Sequence, residues 1–297
     1  MPKPITVAVA GATGKQGGAL ARLLLDRGHE VRALTRKPKS KAALDLQDLG
    51  AEVHEAHLDD GGAVRRAAKG ADAFFLVATP FEQGVTAEVR QGLAAARAAK
   101  EAGVRHLVYS SVAGADRGTG IPHFDSKQEV EACVQKLGIP YTIVAPVFFM
   151  ENLLGPMFLK GLRAGTLEMP LPESRPLQVI AVADIAGFAR IVLERPSEFQ
   201  GKRIEIASDS LTGPGMAMAL AASGRPIGYA EGSLERVRAF SEDFARMWEW
   251  FDQVGYRVDV SGLVRAYPEV GWHDFRRWVH GQDWSILDAA GPEQPTA

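Results

Sequence analysis

The 297 residues carry 34 lysines and arginines against 36 aspartates and glutamates, a net charge of −2, with 46% hydrophobic and 24% charged residues. That balance is ordinary for a globular chain, argues against a dedicated nucleic-acid binder, and at this length allows about two domains. A single cysteine, Cys133, excludes an internal disulfide scaffold and a cysteine-rich zinc site.

No apolar run nears the roughly 18 residues that span a membrane. The opening MPKPITVAVAGATG reads as a strand entering a motif rather than a signal peptide. A soluble, cytoplasmic protein is expected.

The first half alternates two periods. Ile5 to Ala10 is a short apolar run of the buried-strand kind. Lys15 to Arg27 is helical, with Leu20, Leu23 and Leu24 on one face and Gly28 beyond its end. Glu30 to Thr35 is the second strand, Lys39 to Leu49 a helix stopped by Gly50, and Glu52 to Ala56 the third strand. A short helix, Ala63 to Lys69, leads to the strand Ala73 to Ala78. Val85 to Ala102 is a long helix ending at Gly103, followed by the strand Val104 to Ser110. Phe124 to Leu137 is helical up to Gly138, and Tyr141 to Ala145 is the sixth strand. Strand, helix and strand joined by short links predict right-handed crossovers and a doubly wound α/β parallel sheet (Rossmann) over 1–150, with ligands at the carboxyl ends of its strands.

Beyond Pro146 the pattern loosens into a smaller, partly helical substrate or partner lobe, 151–286. Phe148 to Gly161 looks helical, Met169 to Pro176 loop-like, and Val182 to Leu193 helical. Arg203 to Ala207 reads as a strand that returns to the sheet, so the two domains interleave. Trp248, Trp250, Phe251, Trp272, Phe275 and Trp278 are expected in the core, since pairs three apart share a helical face; the competing reading is the lining of an apolar cleft. Residues 287–297 have the composition of a disordered tail.

The strongest local signal is GATGKQGG, which sets Gly11, Gly14 and Gly17 three apart between a strand and a helix. Such spacing gives a tight turn, a close approach of backbone to a pyrophosphate, and close packing of helix on strand. The helix start then offers N–H groups and a positive dipole end to phosphate. Gly11, Thr13, Gly14, Lys15, Gln16 and Gly17 are the candidate residues of this loop. The competing reading is a structural turn in a protein without a nucleotide.

An NAD site usually has an acidic residue about 20 positions on, holding the ribose hydroxyls. Here the second strand runs into Thr35, Arg36 and Lys37, with Lys39 and Lys41 close behind. Arg36 can grip a 2′-phosphate with its fork. NADP(H) is therefore the expected cofactor and NAD(H) the weaker ligand; the competing reading is a solvated basic helix start. Other strand ends supply Leu58 and Asp59 toward adenine, and Ala78, Thr79 and Pro80 toward the adenosine ribose. Ser110 and Ser111, with Pro146 and Phe148, are expected toward the nicotinamide.

This layout resembles the atypical short-chain dehydrogenases, which carry Tyr-x-x-x-Lys on the helix after the fifth strand. The corresponding stretch here is His123-Phe124-Asp125-Ser126-Lys127, so histidine stands in the tyrosine's place. GATGKQGG, TRKPKSKA, HFDSKQEVE and PVFFMENLL together resemble the NmrA-like family, and within it the vertebrate redox-sensor branch, from about residue 4 to 284. The resemblance implies NADP(H) at Gly11, Thr13, Gly14, Gln16, Gly17, Arg36 and Lys127, and a redox-sensing regulator with weak or no turnover. Related quinone and isoflavone-type reductases imply the alternative, an NADPH-dependent reductase of small carbonyl or enone substrates using Lys127 as its base.

His123 could exchange a proton near neutral pH or be an inert residue of the helix start. Tyr109 is expected inside its strand, Cys133 in the core, and Glu129 and Glu131 on a solvated face. Glu151 and Asn152 are expected at a pocket edge or on a helix surface. The partners expected are a dinucleotide and either a protein or a small apolar substrate. Neither nucleic acid nor membrane is expected, and the chain is read as a monomer or homodimer.

Overall fold

A computed structural model describes residues 3–222 and 224–288. They form two compact units. Of the described residues, the first comprises 3–146, 182–206 and 267–271, and the second 147–181, 207–222, 224–266 and 272–288.

The first unit opens as β1 (Thr6–Val9), α1 (Lys15–Asp26), β2 (Glu30–Thr35), α2 (Lys41–Asp48) and β3 (Glu52–Glu55). It continues as α3 (Gly61–Ala68), β4 (Ala73–Leu76), α4 (Val85–Glu101), β5 (His106–Ser110), α5 (Pro122–Lys136) and β6 (Tyr141–Pro146). The chain passes through the second unit as β7 (Phe148–Phe149), α6 (Pro156–Arg163), β8 (Thr166–Met169) and β9 (Pro176–Ile180). It returns to the first unit as α7 (Val182–Glu194), α8 (Pro196–Phe199) and β10 (Lys202–Ile206).

The first unit holds one seven-stranded sheet in the order β10-β6-β5-β4-β1-β2-β3, parallel at every pairing. The strand expected near 203–207 is β10, and it returns to the sheet beside β6. All of β4 and β5 is buried, as suits strands covered on both faces. Alternate side chains Phe74, Leu76, Leu107, Tyr109 and Ile143 share one core with Val64, Ala95, Ala99 and Val130 of α3, α4 and α5. Helix α1 packs on α7.

Helix ends follow local chemistry. Ser40 and Asp60 accept hydrogen bonds from the backbone N–H groups of Ala43 and Ala63, so α2 starts later and α3 earlier than apolar spacing suggests. Gly28 and Gly103 stand just past α1 and α4 at φ +78° and +77°, which the C′ position favours.

The second unit continues as β11 (Asp209–Thr212), α9 (Gly213–Ala221), β12 (Gly228–Glu231), α10 (Leu234–Phe240), α11 (Glu242–Gln253), α12 (Val260–Ala266) and α13 (Phe275–His280). It contains the sheets β11-β9-β7 and β12-β8. The helix expected over Phe148 to Gly161 is corrected to strand β7, a 3-10 turn over Met150–Leu154, and α6. Gly155 is extended and Pro156, without an N–H, starts a new helix rather than continuing one. The loop expected over Met169 to Pro176 is bounded by β8 and β9, whose partners lie far along the chain. The six aromatic residues from Trp248 to Trp278 are buried as expected. Leu287 is buried in a 3-10 turn, Trp284–Leu287; from 289 the expected tail lies outside the described residues. Among the described residues no helix is long and apolar enough to cross a membrane.

Candidate functional site

The carboxyl end of β1 delivers the chain into the glycine loop. Gly11 takes φ +63° and Gly14 N–H donates to Gly11 O at 2.8 Å, closing the turn. A Cβ on Gly17 would lie 2.4 Å from Gly11 O and 2.8 Å from Ala10 O, so only glycine lets the helix come this close to the strand. Gly14 caps α1 without a side-chain hydrogen bond, and the first turn has no acidic residue. The positive end of α1 is thus free of any competing carboxylate of its own. Those features fit a diphosphate. Lys15 and Gly14 are exposed, and Gln16 accepts from Ser110 Oγ at 2.6 Å, tying the loop to the end of β5.

Across β2, the Thr13 and Thr35 hydroxyls lie 3.2 Å apart and Thr35 Oγ1 accepts from Lys37 N–H. Arg36 follows, about half exposed, and it is not alone: its Nη1 lies 2.6 Å from Glu82 Oε2 in the loop after β4. The hydrogen bond from Arg36 holds the Glu82 carboxyl below its usual range, and the charge of Lys37 adds to this. Sequence reasoning found no carboxylate near Arg36 because this one is 46 positions away. Lys37 and Lys39 are exposed, and Lys41 turns along α2 to Asp45 at 2.8 Å.

Leu58 packs against the hydrophobic core. Asp59 is held by Arg90 Nε at 2.7 Å and by Gln91 Nε2 at 3.1 Å, and the Arg90 hydrogen bond lowers its pKa. Thr79 is exposed and Pro80 buried. Pro146 is buried at the end of β6, while Phe148 belongs to the second unit, where its ring packs among Phe158, Trp248 and Phe251. Glu151, also of the second unit, accepts from Trp278 Nε1 at 3.0 Å. Asn152 is half-buried.

Helix α5 carries the residues in the tyrosine and lysine positions. Lys127 Nζ donates to Glu88 Oε1 at 2.7 Å and to Ala78 O at 3.1 Å. Glu88 is fully buried on α4, and its other oxygen accepts from Ser126 Oγ at 2.5 Å. An ammonium has three N–H donors. Two of Lys127's are fixed inside the protein, which leaves one to turn outward. Glu88 escaped the sequence reading, although a signal exists: it shares a stripe with Gly92, Ala95 and Ala99, all buried.

His123 is buried, with its ring 4.9 Å from that of Phe124 and 6.0 Å from that of Phe81. Tyr109 cannot replace the missing tyrosine. It is wholly buried, and burial, with the charges of Glu88 and Glu131 behind it, raises its pKa well above the usual value.

Two expectations about α5 are corrected. Glu129 is exposed, but Glu131 is buried. Glu131 accepts from Ser111 Oγ and pairs with Arg203 Nε at 2.9 Å, because the returning strand β10 brings a cation to that face. Cys133 is half-buried rather than in the core.

These features define an α/β protein whose glycine loop and basic second-strand end suit a phosphorylated nucleotide. The sequence model of the NmrA-like family matches residues 3–278, and the chain belongs to that family. It is 32% identical to an NAD(P)H azoreductase of Xenophilus azovorans over 234 residues, 78% of this chain and 79% of that protein. It is 31% identical to a (4-alkanoyl-5-oxo-2,5-dihydrofuran-3-yl)methyl phosphate reductase of Streptomyces griseus over 97% of this chain and all of that one. The solved structure of NmrA, a negative transcriptional regulator, in complex with NADP shares the fold. Its TM-score is 0.76 at 23% identity, over 94% of this chain and 95% of that one.

Proposed function

We propose that this chain binds a nicotinamide dinucleotide, NADP(H) in preference to NAD(H), and is an NAD(P)H-dependent oxidoreductase of small unsaturated acceptors. The observation that carries the reading is the pairing of an intact glycine loop with a lysine that keeps one N–H uncommitted. The two relatives matched over most of their length, both named as reductases, support it. When bound, the cofactor supplies a hydride to an electron-poor double bond.

The chain's own residues bind and orient. The start of α1 receives the diphosphate, Arg36 the 2′-phosphate, and the remaining Lys127 N–H a ribose hydroxyl or the polar end of the acceptor. Glu88, itself held by Ser126, and the Ala78 carbonyl fix the lysine so that its remaining donor points one way. His123 sits where a tyrosine would donate a proton. Its burial against two phenyl rings favours a second reading, the redox-state regulator with little turnover.

NADPH oxidation with a panel of azo dyes, quinones and butenolides separates the two. Turnover well above background with any of them supports the reductase. Tight NADPH binding with none supports the regulator. Arg36→Ala should weaken NADP(H) by about one to two decades, corresponding to roughly 1.5–3 kcal/mol for a charge-assisted hydrogen bond, and NAD(H) much less. Equal losses for both would remove the 2′-phosphate assignment.

A further inference from the structure

The sheet order sets β2 and β4 on either side of β1. The loops that leave their carboxyl ends therefore flank the glycine loop, at the point where strand order reverses and ligands bind in such sheets. One ion pair joins those two loops, Arg36 to Glu82. Glu82 sits in a turn closed by Gly84 N–H on Pro80 O at 2.7 Å, and Gln83 of the same turn accepts from Gln91 of α4 at 3.0 Å. The carboxylate is thus presented by an anchored loop rather than by a swinging tail.

The same carboxylate feels Lys37 as well as Arg36. Arg36 pairs directly with this anion, the charge of Lys37 acts on it from the next position, and the chain supplies the anion itself. Asp59, another carboxylate of this edge, is already held by Arg90 and Gln91. A guanidinium fork accepts a carboxylate or a phosphate with the same geometry.

We infer that Glu82 is an internal rival of the ribose 2′-phosphate for Arg36, and so sets how far the site discriminates NADP(H) from NAD(H). The inference rests on the dinucleotide reading above. NAD(H), with no 2′-phosphate, leaves the Arg36–Glu82 pair intact. NADP(H) must displace the carboxylate before its 2′-phosphate can take the Arg36 fork. Both side chains are about half exposed, 43% for Arg36 and 55% for Glu82, so the competition is modest. An exposed pair of this kind shifts an equilibrium by roughly two- to five-fold.

Calorimetric titration of the full chain with NADP+ and NAD+ tests this, using the wild type, Glu82→Gln, Arg36→Ala and the double variant. Glu82→Gln should tighten NADP+ by roughly two- to five-fold and leave NAD+ unchanged. In the Arg36→Ala background the same change should have no effect on either. Three results overturn the inference while leaving the dinucleotide reading standing. They are an unchanged ratio of the two Kd values, an equal shift in both, or a gain for NADP+ that persists without Arg36. If the wild type binds neither nucleotide, the dinucleotide reading fails and takes the inference with it.

Discussion

The carboxyl edge of the parallel sheet is built from two different materials. Around β1 and α1 the work falls to backbone: a left-handed Gly11, a Gly17 with no room for a Cβ, and an uncapped helix start. Around β5 and α5 it falls to buried charge. Glu88 holds Lys127 and Ser126, and Glu131 holds Arg203 and Ser111. A backbone site needs one residue type at fixed spacing and nothing else. A buried charge needs partners from three or four elements, so its fragility lies in the pairing.

The sharpest test of that difference is Glu88→Ala. The carboxylate has no exposure, and its removal strips a mostly buried ammonium of its counter-charge and leaves the Ser126 hydroxyl only His123 O, at 3.2 Å. Breaking a buried pair on one side costs about 3–5 kcal/mol. Urea unfolding should show this loss with an unchanged m-value. A loss below about 1 kcal/mol would mean that solvent, not Glu88, neutralises Lys127.

Gly17→Ala comes next and strikes the backbone region. The new methyl would meet the Gly11 carbonyl oxygen and carbon at 2.4 and 2.7 Å, atoms that cannot rotate away. The expected loss is about 3 kcal/mol, the upper end for overpacking, together with loss of dinucleotide binding. A stable variant with full affinity would show that the loop relaxes without its third glycine.

The two regions also differ in how far each was legible. The glycine loop, the succession of strands and helices up to β6 and the helix stops at Gly28 and Gly103 follow from local rules, because turn geometry and two-faced burial restrict single residues. Glu82, Glu88 and Glu131 do not. Each is an ordinary glutamate in its own segment, and its role comes from Arg36, Lys127 or Arg203, which lie 46, 39 and 72 positions away. Folding brings them together; spacing places Glu88 on the buried stripe of α4 but names none of the three partners. The same holds for β8 and β9, short strands whose identity comes from β12 and from β11 and β7 rather than from their own alternation.

A buried neutral group serves as the control for the buried charges. His106 opens β5, where Ser110 ends it. Thr142 donates its hydroxyl to Phe199 O at 3.0 Å, so His106 Nε2 must donate to Thr142 Oγ1 at 2.9 Å, leaving Nδ1 bare. Burial lowers its pKa from 6.5 to about 4. The unfolded chain takes up a proton that the folded one refuses. Stability from this group is therefore full above pH 6.5 and is lost as pH falls towards 4. At about 1.4 kcal/mol per pH unit the loss reaches about 3 kcal/mol. His106→Leu should flatten the stability curve across that window; an unchanged slope would place the acid sensitivity elsewhere.

The smallest effect decides whether the two regions act together. Ser110 Oγ donates to Gln16 Oε1, joining the last residue of β5 to the first turn of α1. Ser110→Ala should cost about 1 kcal/mol, the net worth of a neutral hydrogen bond. The informative quantity is the cycle with Gln16→Ala. If the bond couples the regions, the double variant should lose less than the sum of the singles, by about 0.5 kcal/mol or more. Strict additivity would mean that the glycine loop is set by its backbone alone, and that the charged cluster around Lys127 can be rebuilt without moving it.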